Sequence, residues 1–167
     1  MAISTEAIRE LRERTGAGIM DVKRALEAAD GDQKTAELAL REKGLTKAAS
    51  KSSRSTAEGV VDSYIHGGGR IGAMVELNCE TDFVARTPEF MELAHNLAMQ
   101  VAAMGAEFVN KEDIPEGDIR LPEEVVLMEQ SFIKDSSKSI PDLIMDVRAR
   151  VGENIKVSRI TRFTLGE

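Results

Sequence analysis

VVDSYIHGGGRIGAMVELNC, residues 60–79, decides the fold class. Val60, Asp62 and Tyr64 alternate with Val61, Ser63 and Ile65, and after His66-Gly67-Gly68-Gly69-Arg70 the positions Ile71, Ala73, Val75, Leu77 and Cys79 line up on one side. A period of two marks a strand, and a glycine run between two such stretches supplies the backbone freedom of a tight turn. The stretch predicts an antiparallel hairpin whose second strand has one apolar face.

Upstream the period is helical. Ser4 or Thr5 caps a helix that places Ile8 and Leu11 together, and Thr15-Gly16-Ala17-Gly18 breaks it. Ile19, Val22 and Leu26 form a second stripe, ended by Asp30-Gly31-Asp32. A third helix carries Ala36, Leu38, Ala39 and Leu40 and is predicted to stop at Gly44. Three short helices share only a small core, so residues 1–45 read as a docking module of modest stability. TKAASKSSRSTAE, residues 46–58, is small, polar and basic, which predicts a connector, helical in part near residues 47–51.

Downstream, PEFMELAHNLAMQVAAM (residues 88–104) is a helix whose Phe90, Leu93, Leu97 and Val101 would cover the sheet. Gly105, Pro115, Gly117 and Pro122 predict a loop over 105–124, followed by a short strand over 124–128. Residues 141–151 read as a helix with Leu143, Ile144, Val147 and Val151 inward, and Ile155, Val157, Phe163 and Leu165 as a last strand. The expected class is α+β: a three-helix module (1–45), a connector (46–58), and a small antiparallel sheet packed with helices (59–167).

Composition narrows the function. The 167 residues are 42% hydrophobic and 31% charged, as in a globular protein, with a net charge of −7. Residues 1–58 hold 11 Lys and Arg against 10 Asp and Glu, so the acid lies in the remainder. An acidic chain with no Trp and one Tyr lacks both the electrostatic footprint and the stacking platforms of a nucleic-acid binder, which points to a protein partner. No apolar run approaches the ~20 residues that cross a bilayer, and MAISTEAIRE has neither a basic nor an apolar leader segment; a cytoplasmic location is expected and no membrane contact. One Cys excludes an intramolecular disulfide, and one Cys with two His makes a closed zinc site hard to assemble, so neither metal nor cofactor is expected.

Most candidate sites have a bland reading. Gly67-Gly68-Gly69-Arg70 lacks the spaced glycine, Lys and helix of a phosphate loop. His66 abuts a turn, His95 lies off its helix's apolar stripe, and Cys79 alternates with Val75 and Leu77 as a small buried hydrophobe. Glu76, Glu80 and Asp82 are carboxylates without a recognisable acid/base partner; a hydrolase built on His66, His95 and Glu80 would require the three to converge. Thr81-Asp82-Phe83 differs, because it puts a large ring where a connection should be. Phe83 either turns inward and caps the sheet, or projects with Asp82 as a polar companion to fill a pocket on another protein. A ubiquitin-associated-like adaptor using only the first module is the reading from another class.

LRERTGAGIMDVKRAL (11–26), AASK (48–51), YIH (64–66), VELNCETDFVAR (75–86) and VGENIKVSRITRF (151–163) together resemble bacterial elongation factor Ts, from one end of the chain to the other. The resemblance implies a guanine-nucleotide exchange factor, not an enzyme, that binds elongation factor Tu with GDP. It implies that Thr81, Asp82, Phe83 and Val84 intrude on the magnesium and phosphate side of the partner's nucleotide site. It further implies a UBA-like first module docking through Leu11, Arg12, Thr15, Gly16, Ala17, Gly18, Ile19 and Met20. Longer relatives carry a helical insertion where this chain runs IPEGDIRLPEEV (114–125), so the C-terminal subdomain is shortened. Short forms are implied to act as homodimers, and Thr161 stands where some relatives have a Cys, so no disulfide ties such a pair here.

Overall fold

The structure is a computed structural model that describes residues 3–166, without the side chains of residues 47–49, so the connector's Lys47 lies outside the described side chains. Ser4 accepts the Ala7 N–H at 3.1 Å and opens helix α1 (Thr5–Thr15), which ends where Gly16 adopts φ 65°. Gly18 precedes α2 (Ile19–Ala28), and Asp32 accepts the Thr35 N–H at 2.7 Å at the start of α3 (Gln33–Ala49). Leu11, Val22, Leu26, Ala36 and Leu40 form the small core these helices share.

The predicted hairpin forms. Strand β1 (Glu58–His66) pairs antiparallel with β2 (Ile71–Cys79) from Glu58↔Cys79 to His66↔Ile71. Ala73, Val75, Leu77 and Cys79 are buried, and Val61 and Ile65 face outward. One helical turn, α4 (Asp82–Ala85), follows, then α5 (Pro88–Met104), capped by Thr87 and stopped at Gly105. Phe90, Leu93, Leu97 and Val101 are fully or almost fully buried against the sheet, as their spacing predicts.

The stretch at 124–128 is not a strand. The Glu124 carboxylate accepts the Leu121 N–H and starts a turn of helix, α6 (Pro122–Val125), and only Val126 makes a bridge, to Phe108. Val125, Val126 and Leu127 look strand-like because they are apolar and buried, and residues 125–128 share backbone hydrogen bonds with 107–109, yet this pairing amounts to one isolated bridge and no ladder follows. A short hairpin, β3 (Ser131–Phe132) and β4 (Asp135–Ser139), went unpredicted because its residues are polar and do not alternate. Helix α7 (Ile140–Val151) begins with a capping box, in which Ser139 and Asp142 accept each other's backbone N–H, and stops at Gly152 with φ 76°. Strand β5 (Ile155–Thr164) completes the sheet in the order β1-β2-β5.

Helix α3 does not stop at Gly44; it runs to Ala49. Gly44 faces α7, where an added Cβ would lie 3.1 Å from that of Ala149, so the glycine permits close helix approach and ends nothing. Asp146 of α7 pairs with Arg41 of α3 at 2.9 Å across this contact and with Lys138 of β4 at 3.0 Å beside it. The architecture is α+β, helices first and then a small antiparallel sheet covered by helices. No helix among the described residues is long and apolar enough to cross a membrane.

Candidate functional site

Past the end of β2, Thr81 takes an extended conformation and its hydroxyl oxygen accepts the Val84 N–H at 3.5 Å, which starts α4. One turn of helix splits its side chains by direction. Val84 and Ala85 enter the core, whereas Phe83 is 80% exposed and Asp82 pairs on the surface with Arg86 at 3.0 Å. Of the two readings of Phe83, the inward one is not what forms. Val84 is held inside and serves to anchor its neighbour.

Two residues that sequence reasoning passed over hold this turn. The Glu153 carboxylate accepts the Glu80 N–H (3.1 Å), the Thr81 N–H (3.0 Å) and the Thr81 hydroxyl (2.7 Å). In return Glu80 accepts the Asn154 N–H at 2.7 Å, and the Asn154 side chain donates to the carbonyls of Ser52 and Arg54. The Asn154 N–H and then Arg54 hold the Glu80 carboxyl below the usual carboxylate range. The signal available was two polar residues wedged between the helix-ending Gly152 and an apolar strand. Cys79 lies beneath the turn, its thiol donating to the Thr81 carbonyl; burial, then the Glu153 charge, pushes it up, so it stays a protonated thiol.

The N-terminal residues divide in the same way. Leu11 is fully buried and belongs to the module's core. Thr15 donates its hydroxyl to the Leu11 carbonyl at 2.7 Å and accepts the Ala17 N–H, fixing the turn through Gly16, Ala17 and Gly18. Arg12, Ile19 and Met20 face solvent, the last two as exposed apolar side chains on the first turn of α2. One residue of each predicted group, Gly16 and Val84, lines a cleft of about 290 Å³ with Arg14, Thr87 and Arg150, while Phe83, Ile19 and Met20 are not among its lining residues.

The other candidates do not converge. His66 and His95 flank Tyr64, with ring centroids 5.9 and 5.7 Å away, and His95 lies 3.3 Å from Asp62. His66 sits at the turn end of the hairpin and Glu80 beyond its opposite end, so no hydrolytic constellation assembles. Among the described residues no group of three or more His, Cys, Asp or Glu is placed to hold a metal.

Fold and site thus define an α+β protein whose candidate site is a surface of projecting side chains. The pattern of the family described as Elongation factor TS matches residues 34–121, more than half of the chain. Elongation factor Ts of Syntrophomonas wolfei is 47% identical over 195 aligned positions, covering 99% of this chain and 91% of that protein. The namesake from Thermotoga neapolitana is 46% identical, covering 100% and 99%. The chain belongs to the elongation factor Ts family, a family of translation elongation factors. An alignment of 195 positions exceeds the 167 residues available, so these relatives carry additional internal sequence.

Proposed function

We propose that this protein is a guanine-nucleotide exchange factor that binds elongation factor Tu with GDP and speeds GDP release. The observation that carries the reading is Phe83, 80% exposed on a turn anchored from below. Burying such a ring in a partner contributes roughly 1.5–3 kcal/mol, available for displacing the elements that hold magnesium and phosphate. Asp82 is its polar companion. Arg12, Ile19 and Met20, with the turn Thr15-Gly16-Ala17-Gly18, dock the module and keep the ring at high local concentration, while Leu11 and Val84 support from within.

No bond to the protein forms or breaks in this scheme, so the protein is not an enzyme and needs no metal or cofactor of its own. Linkage makes the effect reciprocal: a factor that weakens nucleotide binding is itself weakened by nucleotide, and the next nucleotide ejects it. The partner is a cytoplasmic protein, with neither nucleic acid nor membrane touched directly. A second copy is the further partner, seated on the outward face of the sheet where Val61, Ile65, Met74 and Phe163 are exposed. Stopped-flow release of a fluorescent GDP from elongation factor Tu tests the function: the protein accelerates release at catalytic amounts, and an unchanged rate at saturating protein would refute it.

A further inference from the structure

Phe83 projects because α4 is aimed outward, and what aims it lies elsewhere in the chain. A single helical turn does not hold itself in water. Here Thr81 starts the turn, and Glu153, 72 residues away, holds Thr81. One oxygen of its carboxylate accepts the N–H groups of Glu80 and Thr81; the other accepts the Thr81 hydroxyl, at 2.7 Å. That last bond fixes the hydroxyl's rotor. With its proton committed to Glu153, the oxygen presents a lone pair to the Val84 N–H and caps α4. The grip is reciprocal, because Glu80 accepts the N–H of Asn154. Charged acceptors make the stronger hydrogen bonds, so the carboxylate sets the direction of the turn more firmly than the turn's own backbone.

We propose that Glu153 is a positioning residue for exchange: its carboxylate orients the Thr81 cap and thereby holds the Phe83 ring in the posture that enters the partner. The proposal rests on the exchange-factor reading. It separates two properties that docking residues mix, because Glu153 acts on the ring and not on the surfaces that bring the partners together.

The test measures release of a fluorescent GDP from elongation factor Tu over a range of factor concentrations, for Glu153→Gln, Phe83→Ala and the double variant. Glu153→Gln replaces one accepting oxygen by an NH₂ group and is expected to lower the maximal rate about tenfold, the scale of one charge-assisted hydrogen bond. The concentration giving half-maximal rate stays unchanged. In the Phe83→Ala background the same substitution causes no further loss, since the ring it positions is gone. Thr81→Val, which removes the hydroxyl but leaves both amides on Glu153, lowers the maximal rate in the same sense and serves if Glu153→Gln proves unstable. A full maximal rate for Glu153→Gln beside a slow Phe83→Ala overturns the positioning role and leaves the ring's role intact. Losses that multiply in the double variant also overturn it, since Glu153 then acts independently of the ring. Phe83→Ala at full speed overturns both.

Discussion

Phe83 exposes most of its ring in the free protein, and the proposed mechanism buries that ring only in a complex; Glu80 and Glu153 work the other way, accepting hydrogen bonds inside the chain. The Glu80 carboxyl, depressed first by the Asn154 N–H and then by Arg54, stabilises the fold at pH values above its unfolded-chain value, about 4.3, and loses that contribution as pH falls through its folded value. The Asn154 amide resonance will therefore titrate below the ordinary carboxylate range, and Glu80→Gln will abolish the titration, as NMR at successive pH values can check. Sequence located Phe83 but left its direction open, because a four-residue turn with one apolar side chain out and two in has no period to read. Glu153 was illegible for a different reason: all three of its bonds go to residues more than seventy positions away.

Elements announced themselves where a local signal and a periodic face agreed. Ser4, Thr87 and Ser139 cap the helices that follow them, and β2 alternates along its full length. Errors arose where a residue served a tertiary purpose. Gly44 resembles a helix stop but is a contact point for α7, and the polar hairpin of β3 and β4 carries no apolar alternation. Gly59 is a sharper case of the same kind, since a Cβ there would come within 2.1 Å of the Leu77 carbonyl oxygen on the paired strand. Gly59→Ala should cost about 1–3 kcal/mol of stability, seen as a lower denaturant midpoint, because the hairpin backbone must shift to admit the methyl.

In the whole molecule helices α1–α3 lie against α7, and that packing brings the Gly16 turn and the base of the Phe83 turn to one cleft. Neither sequence half contains that juxtaposition; it depends on Arg41 and Asp146, 105 residues apart, and on the close approach at Gly44. The sheet's outward face supplies a second test at this scale. Phe163→Asp should leave the fold intact and abolish self-association in light scattering across a concentration series, while a species of unchanged mass in both proteins would remove the paired form from the account. In the proposed mechanism docking and nucleotide release are separate acts, the second performed by one projecting ring. Its most direct test is the GDP release rate from elongation factor Tu at saturating Phe83→Ala. The account predicts a complex that still forms yet releases GDP at least about tenfold more slowly than with the unaltered protein, the loss of a ring contact worth roughly 1.5–3 kcal/mol. An unaltered rate at saturation would contradict it.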